Sequence, residues 1–261
     1  MHLNLEKSSL KDRIQQEKDY YDKYYKKSLR EEGQEHKNQL WWSIRNKDAS
    51  ELVSQYFRNR DSINVFDIGC GSGKTTQYLA NLISINYVCF MDISLQSLAF
   101  ARSLESNSLK GKTEYIQQDI FQMNFNCEFD LVWNIGLLEH YTIEEIKQIV
   151  NKMYKATKNG GTMLIGIPNR RSFAVIKASL LGSKFGRLFL SWIPGYRNGS
   201  EILYSNHQMK QIIQEVTGKS VRVAYGGSPL WVGSPNFLVR IFDKYFKLKK
   251  FSFLTFFLSY K

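Results

Sequence analysis

Val65-Phe66-Asp67-Ile68-Gly69-Cys70-Gly71-Ser72-Gly73-Lys74-Thr75 decides how the rest of the chain is read. It closes an apolar run, Ile63–Ile68, that predicts a buried strand, and three alternating glycines stop that run. Glycines at this spacing let a strand turn sharply into a helix and let the backbone approach a ligand closely. Tyr78, Leu79, Leu82 and Ile83 then follow helical spacing. Further along, Tyr87–Met91, Thr113–Gln118 and Phe129–Trp133 read as strands, with Leu95, Leu98, Ala99 and Leu104 on an intervening helix. Thr142 and Glu145 have capping-box spacing ahead of a helix carrying Ile143, Ile146, Ile149, Val150 and Met153. Gly160-Gly161 is expected to end that helix before a strand over Thr162–Ile167, closed by Pro168.

Strands alternating with helices predict an α/β fold with a mostly parallel sheet covered on both faces. The last third is less regular. Ser205 and Gln208 again have capping-box spacing, before a helix with Met209, Ile212, Ile213 and Val216 on one face. Val221–Tyr225 reads as a strand, Asn236–Lys250 as a basic amphipathic helix, and Phe251–Leu258 as a final apolar strand. Residues 1–50 read as a polar helical lid with an aromatic cluster (Tyr20, Tyr21, Tyr24, Tyr25, Trp41, Trp42), and residues 51–261 as the main domain. Residues 169–204 form an apolar, basic insertion at the carboxyl end of a strand, where open α/β sheets bind ligands.

Composition bounds the class. The chain has 261 residues, 43% of them apolar and 23% charged, which suits a globular domain with a full core. Phe251–Leu258 is far shorter than the roughly 20 residues a membrane span needs. Cys70, Cys89 and Cys127 lack CxxC spacing, so no disulfide framework and no metal site is expected, and a reducing, cytoplasmic setting is. The net charge of +12 is unevenly placed. Residues 169–261 hold 15 Lys/Arg against 3 Asp/Glu, whereas residues 63–168 hold 8 against 10. A one-sided field of this kind attracts anionic partners without naming them.

Three cofactors compete for the glycine loop. Gly73-Lys74-Thr75 reproduces the end of a phosphate-binding P-loop, but its leading glycine would fall at Ile68. The dinucleotide fingerprint needs Gly or Ala where Lys74 stands. S-adenosylmethionine (SAM) meets no such obstacle. Asp67 precedes the three glycines, Asp92 closes the second strand where a carboxylate can accept from ribose hydroxyls, and Asp119 follows the third in a Gln-Asp-Ile step suited to adenine. The fourth strand runs through Asn134 into Ile135-Gly136-Leu137-Leu138-Glu139-His140.

In order and spacing these signals resemble the class I SAM-dependent methyltransferases, especially the branch acting on small molecules and ubiquinone-type precursors. The resemblance covers residues 50–168 strongly and the last 60 loosely. It implies a Rossmann-like, seven-stranded, mostly parallel sheet with an antiparallel last strand, and release of S-adenosylhomocysteine as product. The candidate cofactor-binding set is Asp67, Gly69, Cys70, Gly71, Gly73, Asp92, Ile93, Asp119, Ile120 and Asn134. Cys70 fills a variable slot and is assigned no chemistry. Asp67 either touches the ligand or holds the loop, and Asp119 either reads adenine or caps the following turn.

The candidate catalytic residue is His140, as general base for a hydroxyl acceptor or as a shaper of the pocket; His207 is weaker, and His2 and His36 fall in polar segments. The insertion interleaves Arg170, Arg171, Lys177, Lys184, Arg187 and Arg197 with aliphatic and aromatic residues. That pattern suits a lid over a small-molecule or lipid-like, anionic acceptor, or a peripheral contact with a membrane surface. Methyl transfer to oxygen is the leading expectation. The alternatives are an RNA or tRNA methyltransferase using the basic C-terminal third, and a non-catalytic SAM-binding regulator. Against nucleic acid, the fourth strand lacks an Asn-Pro-Pro-aromatic stretch and no RNA-binding module is appended.

Overall fold

The computed structural model describes residues 9–30, 39–183, 201–246 and 249–261. In chain order these form α1 (Leu10–Arg30), α2 (Gln39–Ser54), β1 (Ile63–Ile68), α3 (Lys74–Leu79), β2 (Ile85–Asp92), α4 (Leu95–Ser103), β3 (Thr113–Gln117) and β4 (Phe129–Ile135). They continue with α5 (Ile143–Ala156), β5 (Thr157–Pro168), α6 (Phe173–Gly182), α7 (Asn206–Thr217), β6 (Val221–Gly226), α8 (Asn236–Ile241) and β7 (Leu254–Tyr260). The strands make one seven-stranded sheet in the order β3-β2-β1-β4-β5-β7-β6. β1 to β5 are parallel, and β7 runs antiparallel between β5 and β6. The strand order reverses at β1, which pairs with β2 on one side and β4 on the other, so a crevice opens at their carboxyl ends.

Strand alternation divides the core. Phe66, Ile68 and Val132 face a cluster completed by Ile146, Ile149, Val150 and Met153 of α5 and by Met209, Ile212 and Ile213 of α7. Val65, Leu131 and Trp133 face the opposite cluster, with Ala49 and Val53 of α2, Leu79 of α3 and Leu98 of α4. Strands buried on both faces need apolar residues at successive positions, which is why they read as unbroken runs. Both capping boxes form, Thr142 with Glu145 and Ser205 with Gln208.

α2 runs across residue 50, its second half packing beneath the sheet while Trp41 and Ile44 join a satellite cluster. Three expectations are corrected. α5 ends at Ala156, because Thr157 already enters β5; Gly160-Gly161 lies within that strand, where the Gly160 N–H donates to the Lys261 carbonyl at 3.0 Å. The helix expected over Asn236–Lys250 stops at Ile241 and gives way to a π turn (Phe242–Phe246) and a 3-10 turn (Lys249–Phe251). Beyond these turns the Asn169 amide donates to the carbonyls of Lys250 and Ser252 at 2.9 Å and holds the chain at the end of β5. The final strand accordingly starts at Leu254, and Phe251 stacks on Phe173 instead.

Gly161 gives this fold a direct test. A Cβ there would lie 2.9 Å from the carbonyl oxygens of Asp130 and Lys158, neither of which can rotate away. Gly161→Ala is expected to cost about 1–3 kcal/mol, read as a lower denaturation midpoint at unchanged slope. An unaltered midpoint would mean the start of β5 yields freely.

Candidate active site

At the end of β1 the backbone bends through Gly69, Gly71 and Gly73, with φ of 62°, 54° and 63°. At Gly71 the left-handed φ favours glycine, and a Cβ there would lie 2.7 Å from the Tyr25 hydroxyl oxygen, so the Tyr25 ring would have to shift. Asp92, at the end of β2, accepts from the Gly71 N–H and the Ser94 N–H, each at 2.9 Å. Burial pushes its pKa up, with those two N–H groups opposing the shift. The Ser97 side chain and the Ile93 N–H also favour its charged form.

Asp67 does not face the crevice with a free oxygen pair. Its Oδ2 accepts from the Thr76 hydroxyl at 2.6 Å and so ties β1 to α3, while burial pushes its pKa up to about 7. Of the two readings of this residue, the geometry supports the loop-holding one, through a hydroxyl and not through backbone N–H groups. Cys70 is half-buried, and burial raises its thiol pKa well above the usual range. Ile93 and Asp119 line a cavity of about 490 Å³ together with Lys18, Ile116, Gln117, Gln118 and Gln122. Asp119 also caps the turn Ile120–Gln122, its Oδ1 accepting from the Phe121 N–H at 2.9 Å. Ile120 packs into the core beneath and is not among the cavity's lining residues.

At the end of β4, the Asn134 Nδ2 donates to the Ile68 carbonyl at 2.6 Å, and its Oδ1 is buried without a partner. Glu139 is buried in the following turn, its Oε2 likewise unpartnered and its pKa pushed up to about 8 by burial. His140 has its Nδ1 3.8 Å from the Glu17 Oε1, and burial lowers its pKa. His207 is exposed at the start of α7, and His2 and His36 lie outside the described residues.

Residues 1–50 read as a lid, but none of them is in the expected binding or catalytic set, and in the structure both α1 and α2 bring side chains to the crevice. Arg13 pairs with Glu145. Glu17 accepts from the Tyr141 hydroxyl at 3.3 Å. Asp22 accepts from the Ser94 hydroxyl at 2.6 Å, and Tyr25 packs against Phe100 with ring centroids 5.5 Å apart. Arg13, Glu17, Tyr21 and Tyr25 recur every four residues and share one face of α1; that spacing was the available signal. On α2, Arg45 has a buried Nε without a partner, within the electrostatic reach of Tyr25, Glu139 and Asp67. A guanidinium with an open donor beside the glycine loop can take a carboxylate, and the Asn134 oxygen can take an ammonium.

Residues 65–161 match the family model described as a methyltransferase domain. The ubiquinone biosynthesis O-methyltransferase of Rickettsia canadensis is 24% identical over 148 residues, which are 55% of this chain and 57% of that protein. The malonyl-[acyl-carrier protein] O-methyltransferase of Bacillus anthracis is 21% identical over 67% of this chain and 63% of its own length. The chain thus spans little more than half the length of these curated relatives. Among solved structures, the magnesium protoporphyrin IX methyltransferase of Synechocystis, crystallised with bound S-adenosylhomocysteine, superposes with a TM-score of 0.61 at 14% identity. That match covers 93% of this chain and 96% of the other and shows the shared fold. Residues 65–161 are thus similar to methyltransferase domains in sequence, and the chain as a whole shares their fold.

Raised carboxyl pKa values carry a stability consequence. Glu17 and Asp67 are pushed up to about 7 and Glu139 to about 8 by burial. The folded protein therefore holds more protons than the unfolded chain from about pH 4.5 upward, so its stability falls as pH rises towards 8. Glu139→Gln is expected to flatten that fall between pH 5 and 8, followed by denaturant midpoints of the ligand-free protein. An unchanged slope would show Glu139 already ionised in the fold.

Proposed function

We propose that this protein transfers the methyl group of SAM to an oxygen of a small, amphiphilic acceptor. The observation that carries the reading is the set of open, buried polar atoms (Arg45 Nε, Asn134 Oδ1 and Glu139 Oε2) around a glycine loop pinned by Asp92. The donors and acceptors fit the groups of SAM from end to end. Arg45 is placed for the methionine carboxylate and Asn134 for the ammonium. Asp92 suits the ribose hydroxyls, and Asp119, on the cavity wall with Ile93, suits the adenine. SAM supplies a methyl group on a cationic sulfur.

The chain's own task is alignment, exclusion of water and movement of one proton. α1 covers the crevice and shields it. His140, its pKa lowered by burial, is neutral at pH 7 and able to accept the proton of an acceptor hydroxyl. α6 follows the carboxyl end of β5, where an acceptor arrives, and the insertion that begins there is assigned the choice of acceptor. Lys184, Arg187 and Arg197 of that insertion lie outside the described residues. The named O-methyltransferase relatives support oxygen as the acceptor atom.

Calorimetry with SAM, NAD and ATP separates the three cofactors. SAM binding is expected, and tight binding of ATP or NAD without SAM would sink the reading. Arg45→Gln should weaken SAM binding by roughly 10- to 100-fold, the loss of a charge-assisted hydrogen bond worth about 1.5–3 kcal/mol. Incubating cell extracts with isotopically labelled SAM and identifying the labelled product by mass spectrometry finds the acceptor, whether metabolite, lipid or RNA. With that acceptor, turnover should fall as pH drops below 6.5, the usual imidazole value from which His140 is lowered. His140→Ala should reduce turnover by roughly 10²–10⁴ and leave SAM affinity nearly unchanged. A loss under tenfold would leave His140 a wall of the pocket.

A further inference from the structure

α6 is apolar on its outer side as well as its buried side, with Lys177 its one charged residue, which a short surface helix of a globular protein ordinarily is not. Ala174, Val175, Ala178 and Leu181 are buried, while Phe173, Ile176 and Leu180 form a second apolar stripe on the outside, the last two each 52% exposed. α8 and the π turn after it repeat the arrangement. Val239 is fully buried, and Phe237, Ile241 and Tyr245, spaced by four, point outward, with Phe237 63% and Tyr245 68% exposed. Both stripes stand on one satellite core, in which Ala174 and Val239 meet Trp41, Ile44 and Leu230. Phe173 stacks on Phe251 at 5.3 Å, and Lys177 lies 5.0 Å from the ring of the exposed Trp231, so the loops between the helices belong to the same surface. The charge here is of one sign. Residues 169–183 and 230–251 contain eight lysines and arginines and a single carboxylate, Asp243.

We propose that this face, built from α6, the Trp231 turn and the α8 region, docks on an anionic lipid bilayer. Aromatic and aliphatic stripes bordered by cations match the surface of an interfacial helix, with apolar side chains at the headgroup boundary and Lys/Arg at the anionic surface. Among the described residues no helix is long and apolar enough to cross a membrane, so the contact is peripheral. A second copy of this chain is a poor occupant, since it would set cation against cation. A nucleic acid would use the cations and the rings for stacking but has no use for exposed Ile176, Leu180 and Ile241. Trp41 and Ile44 beneath the face share α2 with Arg45 of the crevice, so an amphiphilic acceptor leaving the bilayer would meet the site over a short path. Docking goes beyond methyl transfer and does not require it, and SAM calorimetry reads one while vesicles read the other.

The test is co-sedimentation of the full chain with vesicles of phosphatidylcholine alone or mixed with phosphatidylglycerol, at low and high salt. Binding is expected to the mixed vesicles only and to weaken as salt rises. Arg240→Glu with Lys244→Glu should reduce partitioning at least tenfold. Phe237→Ser with Ile241→Ser should do so without changing net charge, and SAM binding by both double variants confirms that they are folded. Equal binding to both lipids, or to neither, overturns the proposal. So does a salt-dependent complex with RNA that vesicles cannot displace, a dimer in sedimentation that protects Phe237 and Ile241, or full partitioning by the serine variant.

Discussion

The carboxylate of Asp92 is the junction on which the carboxyl edge of the sheet depends. One oxygen holds the Gly71 N–H in a left-handed loop that favours glycine, and the other holds the Ser94 N–H. Ser94 in turn caps α4 by accepting from the Ser97 N–H, and its hydroxyl donates to Asp22 of α1. A single buried side chain therefore fixes loop, strand, helix cap and lid relative to one another. Removing it would leave buried N–H groups without partners, which costs more than the bonds themselves are worth. In the proposed function the same carboxylate also meets the ribose, which would join structural and binding roles in one residue.

The covering helix is held at points spread along its length. Arg13 bonds Glu145, which also accepts from the Thr142 N–H at the start of α5. Burial opposes ionisation of Glu145, yet Arg13 and the Thr142 N–H outweigh it and lower its pKa. Glu17, Asp22 and Tyr25 then engage Tyr141, Ser94 and Phe100 in succession. These contacts are polar or aromatic, and the Arg13–Glu145 pair and the Glu17–Tyr141 bond are largely buried. A buried ion pair that loses one partner leaves the other charge uncompensated, so the helix is held by polar contacts that are costly to break singly.

The strands were legible because a sheet buried on both faces leaves an unmistakable apolar run, and β1 is found at the residues the run predicts. The glycine loop was legible because its three glycines adopt the left-handed conformation. Other features depend on tertiary contacts that sequence periodicity does not record. The turn before β7 is held by Asn169, which bonds the Lys250 and Ser252 carbonyls from the end of another strand. The capping role of Asp119 and the hydroxyl partner of Asp67 emerge only when Phe121 and Thr76 are placed. Arg45 is the instructive omission. In a polar segment it reads as one more solvated cation, and only the packing of α2 against α3 shows that its Nε is buried and open.

The buried charges of the crevice are unbalanced in a way that bears on the proposed reaction. Glu17, Asp67, Asp92 and Glu139 all have carboxyl pKa values raised by burial, while Arg45 is a buried cation at the same edge. SAM brings two positive charges and one negative into that environment, and S-adenosylhomocysteine lacks the positive charge on sulfur. In the proposed reaction these carboxyls would face the sulfonium of SAM and lose that cationic partner once the methyl group has left. The charge of the last third is opposite. Residues 63–168 hold ten carboxylates against eight cations, whereas residues 169–261 hold three against fifteen. Under the proposed reaction an anionic amphiphile would be drawn to the second stretch and not to the first, which would keep the two reactants apart.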